Sequence, residues 1–185
     1  MKRILALLCC VMLLSGCGKT DDSMDRAMGL RSELLTKGVR FETEITADYG
    51  NKTHSFAMDC VSDAQGNLTF QVTKPESISG ITGTVSTSGG KLTFDGKVLA
   101  FGLMADGLIS PVSGPWVLMK TLRSGYLTAC NKEGEYLRLT IDDSYEADAL
   151  HLDVWLGNGD LPVRADVLWQ GRRLLSIEIK NFTFV

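Results

Sequence analysis

Apolar and polar residues alternate along most of the chain beyond residue 38. In the first such stretch Val39, Phe41 and Ile45 fall on one face, whereas Arg40 and Glu42 fall on the other. A period of two residues is typical of strands with one buried face. The same alternation recurs in later segments as far as residue 184. This pattern predicts a mainly β domain of the α+β class. The later predicted strands lie near 54–60, 68–72, 82–88, 91–94, 97–101, 126–131, 136–142, 149–156, 162–169 and 173–184.

Short turn sequences separate these strands. Gly89-Gly90 and Asp95-Gly96 predict two-residue hairpin turns, and Gln170-Gly171 connects two later strands. Because such short turns join neighbouring antiparallel strands, we expect a long antiparallel meander.

Two segments depart from the alternation and predict helices. From Ser23 to Lys37 apolar residues recur at helical spacing, with Asp22 or Ser23 as a cap and Gly38 as the stop. The polar face of this helix mixes charges of both signs, which favours packing on a sheet over lying on a membrane. Between Gly102 and Gly125 the spacing of apolar residues fits one or two short helices.

The first 17 residues have the pattern of a bacterial lipoprotein export signal. Lys2 and Arg3 precede an apolar run, Ile4 to Leu14, which is too short to span a bilayer. Leu14-Ser15-Gly16-Cys17 then matches a lipobox, whose cysteine receives diacylglycerol and can also receive an N-acyl lipid. An ordinary secretory signal with a chance cysteine is the less favoured alternative. The sequence therefore predicts a signal peptide at 1–16, a lipidated tether at 17–22 and one domain at 23–185.

Lipidation of Cys17 would anchor the domain on the extracytoplasmic side of a membrane. Gly18 stands where an aspartate would signal inner-membrane retention in enteric bacteria, so outer-membrane sorting stays open for a Gram-negative host. The formal net charge is -3, and removal of Lys2 and Arg3 with the signal takes it to -5. This balance disfavours nucleic acid as a partner and makes the lipid, not electrostatic attraction, the means of attachment.

Two cysteines remain in the predicted domain once the signal peptide and Cys17 are set aside. Cys60 shares a strand face with Phe56 and Met58, whereas Cys130 lies on a later strand. Strand parity does not establish that their Cα atoms come within disulfide distance, so a bridge between Cys60 and Cys130 stays open.

The two histidines give little support for catalysis. His54 shares a strand face with apolar residues and is interpreted as structural, whereas His151 and Asp153 are expected to face solvent. Neither histidine lies in a nucleophile motif. We therefore expect a protein that is not an enzyme and has no metal site and no cofactor besides the lipid on Cys17.

The order of the predicted elements resembles the LolA/LolB superfamily of lipoprotein carriers and receptors. The likeness covers about residues 23–184. It is carried by the N-terminal helix leading into the Phe41 strand, by Val72-Thr73-Lys74-Pro75-Glu76, by Phe94-Asp95-Gly96-Lys97, and by the hairpin from Leu161-Pro162-Val163 to Ile177-Glu178-Ile179-Lys180-Asn181-Phe182. The resemblance implies a curved antiparallel sheet, or half-barrel, with the N-terminal helix and a helical insertion on its concave face. It also implies an apolar cavity between sheet and helices that holds acyl chains.

Two functions remain open at this point. The first is a membrane-anchored lipoprotein that binds lipid or lipoprotein acyl chains in the cavity. The alternative is a cell-envelope protein-interaction module with a filled core and no lipid ligand; one relative that the chain resembles is a clostridial spore germination lipoprotein with an implied cell-wall amidase partner. An open cavity favours the first function, and a filled core with an exposed apolar edge favours the second. The predicted cavity-lining residues are Phe41, Ile45, Phe56, Met58, Leu68, Phe70, Trp116, Met119 and Leu122.

Overall fold

The computed structural model describes residues 22–50, 52–102, 104–105 and 108–185. Within these ranges it contains helices α1 (Ser23–Thr36) and α2 (Gly114–Ser124). Short 3-10 turns lie at Glu76–Ile78, Pro111–Ser113 and Asn158–Asp160. The predicted signal peptide at 1–16, the lipidation of Cys17 and the tether up to residue 21 lie outside the described residues. The strands are β1 (Val39–Asp48), β2 (Thr53–Ser62), β3 (Leu68–Lys74), β4 (Thr82–Ser86), β5 (Gly89–Phe94), β6 (Lys97–Phe101), β7 (Met104–Ala105), β8 (Leu108–Ile109), β9 (Tyr126–Glu133), β10 (Tyr136–Asp142), β11 (Leu150–Leu156), β12 (Pro162–Trp169) and β13 (Arg172–Phe184).

An open antiparallel sheet dominates the described part of the chain. Its strand order is β6-β5-β4-β3-β2-β1-β13-β12-β11-β10-β9, and β7 and β8 form a separate hairpin. Pairing of β1 with β13 joins the N-terminal meander β1–β6 to the C-terminal meander β9–β13, with Ile45 opposite Ile177. This curved, mainly β half-barrel with helices on one face confirms the fold class predicted from the alternation.

The hydrophobic core lies between this sheet and the two helices. Burial alternates along β1, where Val39, Phe41 and Ile45 are buried and the residues between them include exposed charges. The α1 helix packs on the core through Ala27, Leu30 and Leu34. The α2 helix buries more of its circumference, including Trp116, Val117, Leu118, Met119 and Leu122.

The ends of α1 differ in detail from the expected signals. Asp22 occupies the N-cap position without a side-chain hydrogen bond, and Lys37 is already extended, so the helix ends before Gly38. A Cβ atom on Gly38 would lie 3.1 Å from the Ser62 carbonyl oxygen and 3.2 Å from the Val185 side chain. Gly38 therefore permits a close approach to neighbouring strands and does not serve as a left-handed stop.

One of the two predicted glycine turns is wrong. The β4–β5 turn is formed by Thr87 and Ser88, and Gly89 and Gly90 open β5. Gly90 is the register partner of Phe101, and a Cβ atom on Gly90 would lie 2.2 Å from the Phe101 ring. The absence of a side chain at Gly90 thus makes room for an aromatic ring from the next strand. In the sequence, a glycine needed for this reason looks the same as a glycine needed for a turn.

The other hairpin turn and the helical insertion agree better with the elements predicted from the sequence. Asp95 and Gly96 connect β5 and β6 with φ angles of 48° and 71°, as a two-residue hairpin turn requires. The α2 helix confirms a helical insertion, but Met104–Ala105 and Leu108–Ile109 are not helical; they pair with each other as β7 and β8. Apolar residues that lie four or five positions apart fit either one turn of a helix or two facing strands. Periodicity alone therefore could not distinguish a helix from a hairpin here.

Candidate functional site: a filled concave face and an open sheet edge

Eight of the nine predicted cavity-lining residues come together in the core between the sheet and the helices. These eight are 0–4% exposed and belong to one continuous hydrophobic cluster, while Phe56 is half-buried. A void wide enough for an acyl chain would leave accessible surface on the side chains that line it. In this structure the eight side chains therefore fill a core, and their role in lining an acyl-chain cavity stays a prediction.

A hydrogen bond from Trp116 joins α2 to the turn between β2 and β3. The Trp116 indole Nε1 donates a hydrogen bond to the Gly66 carbonyl oxygen at 2.9 Å. The Lys120 ammonium lies 5.8 Å from the centre of the Trp116 ring. Trp116 therefore belongs both to the core and to the junction between α2 and the β2–β3 turn.

A buried arginine, which the sequence analysis missed, fixes the other end of α2. Arg123 is 8% exposed and donates from Nη1 to the Ser62 hydroxyl at 2.9 Å and from Nη2 to the Asp63 carbonyl oxygen at 2.6 Å. Its Nε donates to the Leu34 carbonyl oxygen at 3.0 Å. Burial lowers the pKa of Arg123 from its ordinary value, and the nearby Asp63 charge opposes this shift. These contacts join α2, the end of α1 and the β2–β3 turn.

The sheet edge at β6 presents apolar side chains to solvent. Val98 and Leu99 are 66% and 65% exposed, and Phe94 on the adjoining strand is 54% exposed. Pairing of Thr93 with Val98 and of Leu92 with Leu99 places Val98 on the outer face and Leu99 on the core side. Among the described residues β6 pairs only with β5, so its other side is an open edge.

A groove of about 860 Å³ runs over the outer face of β1–β6, beside this edge. Charged residues of both signs line it, together with Val61 and Val98 and several threonines. The charged residues are Arg40, Glu42, Asp59 and Lys91. The groove is thus of mixed polarity and reaches the exposed β6 strand through Val98.

The outer face of the C-terminal meander carries a different, tightly paired cluster. Asp153 and Asp166 are register partners on β11 and β12, and each is 7% exposed. Asp153 accepts hydrogen bonds from Arg138 Nη2 at 2.6 Å and Thr140 Oγ1 at 2.9 Å. Burial raises the pKa of Asp153, but the hydrogen bonds and charge of Arg138 and the Thr140 hydroxyl outweigh it and hold the pKa below its ordinary value. The expectation that Asp153 faces solvent is therefore wrong.

No disulfide joins Cys60 and Cys130 in the described structure, so the pairing that the sequence left open is not formed. Cys60 is buried on β2, and Cys130 lies half-buried on β9, six strands away in the sheet order. Burial raises the pKa of Cys60 to about 12. The Cys130 thiol instead contacts the Ser23 carbonyl oxygen at 3.1 Å, at the start of α1.

The histidines do not form a catalytic arrangement in the described structure. His54 is exposed, and its ring lies near those of Tyr49 and Phe56. His151 pairs through Nδ1 with its register partner Asp142. The described residues contain no group of three or more histidine, cysteine or acidic side chains placed to hold a metal ion. None of their helices is long and apolar enough to cross a membrane.

No protein-family model matches the chain, and no curated protein matches it. Solved structures with a similar arrangement include a LolA superfamily protein from Nitrosomonas europaea, at 7% identity and a TM-score of 0.48 over 86% of this chain and 93% of that chain. An uncharacterized conserved protein from Thermus thermophilus aligns at 12% identity and a TM-score of 0.49 over 88% of each chain. The Mycobacterium tuberculosis lipoprotein LppX aligns at 14% identity and a TM-score of 0.39 over 87% of this chain and 91% of that chain. The solved structures with a similar arrangement include a member of the LolA superfamily, which the sequence resembles.

Proposed function

We propose that the protein is an exported, lipid-anchored binding protein that captures an extended segment of another envelope protein along the edge of β6. The observation that carries this proposal is the open β6 edge, with Val98 and Leu99 about two-thirds exposed. The helix-covered face offers no comparable surface, because eight of its nine candidate lining residues are buried in the core. Binding at the edge, and not catalysis, is therefore the activity that these residues support.

The backbone of β6 determines what kind of ligand fits. In a two-residue hairpin the residues flanking the turn form a hydrogen-bonded pair, and such pairs alternate with non-hydrogen-bonded ones along the strands. Lys97 and Leu99 therefore direct their N–H and C=O groups towards β5. Val98 and Ala100 direct theirs outwards, where no described strand receives them.

An extended polypeptide satisfies these outward groups, whereas an acyl chain has no donors or acceptors to offer them. Strand addition at a sheet edge combines such backbone bonds with pockets for alternate side chains. The groove beside Val98 supplies the second part, since it carries Arg40 and Lys91 as well as Glu42 and Asp59. The exposed Phe94 and Leu99 offer apolar contacts on the other side of the same edge.

Site-specific crosslinking in the native envelope tests the proposal. A photoreactive residue replaces Val98, and the control position is Tyr145, which is 82% exposed on a turn of the C-terminal meander. We expect one protein to crosslink at position 98 and not at position 145. A lipid that copurifies in stoichiometric amount, with no crosslink at position 98, would instead support the acyl-chain cavity.

The crosslinked segment, made as a synthetic peptide, then allows a binding measurement. Ala100→Pro removes one outward N–H group without removing a bond to β5, whereas Ala100→Val keeps that group. We expect Ala100→Pro to weaken peptide binding at least tenfold and Ala100→Val to stay within about twofold of the wild type. Equal affinities for all three proteins would contradict strand addition at this edge.

The lipid anchor is tested separately at Cys17. Cys17→Ala removes the sulfur that receives diacylglycerol, so the mature protein should lack the lipid-dependent mass and leave the membrane fraction. Retention of unlipidated wild-type protein in membranes washed with high salt would contradict the lipid anchor and would leave the β6 proposal unaffected.

A further inference from the structure

An apolar stripe runs along the exposed side of α1. Met24 and Met28 are each 48% exposed and Leu35 is 56% exposed. At about 100° per residue these three positions fall within about 40° of one another around the helix. The core-facing residues Ala27 and Leu30 lie on a different side, so the stripe is not part of the core contact.

The stripe continues towards the end of α2. Arg31 lies between Met28 and Leu35 on the helix surface and donates from Nη2 to the Gly125 carbonyl oxygen at 2.9 Å. Tyr126 follows Gly125 in the chain and is 37% exposed. Its ring lies against that of Tyr145. Methionine, leucine and tyrosine side chains at a protein surface suit the boundary between lipid headgroups and acyl chains.

The position of α1 in the chain limits what can cover this stripe. Four residues lie between Cys17 and Asp22, where the described structure begins, so five Cα-to-Cα steps connect the two. A chain of this length spans at most about 18 Å, even when fully extended. A lipid on Cys17 would therefore keep the start of α1 close to the bilayer surface and raise the effective concentration of the stripe at that surface.

We infer that Met24, Met28 and Leu35 form a membrane-contacting face that lies on the same bilayer as the Cys17 lipid. This inference rests on the lipid anchor of the proposed function and adds an orientation to it. The N-terminus of α1 lies against β9, through the contact between Ser23 and Cys130. Because β9 and β6 are the two ends of the sheet order, contact on this side leaves the β6 edge available to a partner protein.

Hydroxyl-radical footprinting of the lipidated protein in vesicles tests this orientation. The vesicles contain phosphatidylcholine and phosphatidylglycerol, and the comparison is the chain from Gly18 onward, which keeps every described helix and strand but lacks the lipid. We expect oxidation of Met24 and Met28 to slow at least threefold in the anchored protein, whereas oxidation of Phe94 stays within about 1.5-fold. The protection should persist in high salt, because the contact is apolar and the mature chain is acidic.

A variant with charge on the stripe provides the matched control. Met28→Glu combined with Leu35→Glu places two solvated carboxylates on exposed positions, so the fold should be retained, as circular dichroism would verify, while anionic phosphatidylglycerol repels them. Protection of Met24 should then be lost while the protein stays lipidated. Lipidated wild-type protein with unprotected Met24 and Met28, or with Phe94 protected in their place, would overturn the inference; absence of lipid from Cys17 would instead overturn the anchor.

Discussion

Arg31 and Arg123 join the two helices reciprocally, because each donates hydrogen bonds to carbonyl groups near the end of the other's helix. Arg31 Nε donates to the Leu122 carbonyl oxygen at 2.9 Å, and its Nη2 bonds the Gly125 carbonyl oxygen. Arg123 Nε donates to the Leu34 carbonyl oxygen in the last turn of α1. The last carbonyls of a helix lack partners within the helix, and a cation is favoured at this end of the helix dipole.

Loss of Arg123 should therefore destabilise the fold more than loss of an exposed arginine. Arg123→Ala removes the donor to three partly or fully buried acceptors, and we expect the free energy of unfolding to fall by about 2–4 kcal/mol. Arg40→Ala, at an exposed position on β1, should change it by less than about 0.5 kcal/mol. Urea unfolding of both variants makes the comparison, and equal effects would contradict a structural role for the buried guanidinium.

The effects of Arg31 and Arg123 should also depend on each other. Both side chains hold the same junction between α1 and α2, so removing one should let the helix ends separate and reduce what the other contributes. In a double-mutant cycle we expect the combined loss for Arg31→Ala and Arg123→Ala to be smaller than the sum of the single losses by at least about 0.5 kcal/mol. Additive losses would indicate two independent contacts.

Gly90 should tolerate a methyl group poorly, although other strands of the sheet contain Ala47 and Ala165. A Cβ atom there meets the Phe101 ring at 2.2 Å, so Gly90→Ala should displace that ring and cost about 1–3 kcal/mol. Gly29→Ala is the matched control, because Gly29 lies inside α1 with no atom within 4 Å of the added Cβ. This change should stabilise the protein by about 0.5–1 kcal/mol.

A second substitution decides whether the Phe101 ring is the cause. Phe101→Leu removes the ring, so Gly90→Ala should cost less in the Phe101→Leu background than in the wild type. Thermal or urea unfolding of the four proteins gives the answer. An unchanged cost would place the strain in the backbone of β5 instead.

The features that the sequence predicted are those encoded by neighbouring residues. Alternation in β1, helical spacing in α1 and the Asp95-Gly96 turn each depend on a few consecutive positions, and the structure confirms them. The need for glycine at Gly90 depends instead on Phe101, eleven residues later on a different strand. A local turn interpretation of Gly89-Gly90 therefore placed the turn two residues too late.

Less of the candidate site could be predicted, because it depends more on contacts between residues that are far apart in the sequence. Apolar residues of the concave face could be selected by strand parity, and eight of the nine do lie together. Whether they enclose a void depends on how closely α2 approaches the sheet, which is set by distant contacts such as Arg123 with Ser62. The exposure of Val98 and Leu99 likewise follows from the position of β6 at the end of the strand order, which a strand pattern does not contain.

Asp153 should make the stability of the protein depend on pH in the acidic range. Its pKa is lower in the folded protein than its ordinary value, so its contribution is complete above the unfolded pKa of about 3.9 and is lost as the pH falls through the folded pKa. Asp153→Asn should accordingly destabilise the protein at pH 7 and have a smaller effect at pH 3. Asp148→Asn, in an exposed turn, should have little effect at either pH.

Urea unfolding of these two variants and the wild type at pH 7, 5, 4 and 3 measures this dependence. The difference between wild type and Asp153→Asn should be constant from pH 7 to 5 and should shrink below about pH 4. A difference that grows towards low pH would mean that burial, and not the bonds from Arg138 and Thr140, controls the carboxyl group.

Met119 offers the most direct test of whether the concave face is filled or open to acyl chains. It is 1% exposed on α2, among the residues predicted to line a cavity. In a filled core Met119→Trp is an overpacking change that should cost about 1–3 kcal/mol, whereas the volume-conserving Met119→Leu should cost less than about 1.5 kcal/mol. Thermal unfolding and native mass spectrometry of the same proteins should show this loss and no bound lipid on the wild type. The opposite result is lipid that binds the wild type and is displaced by Met119→Trp with little change in stability. It would establish an acyl-chain cavity, and the β6 edge would then no longer be the main candidate binding surface.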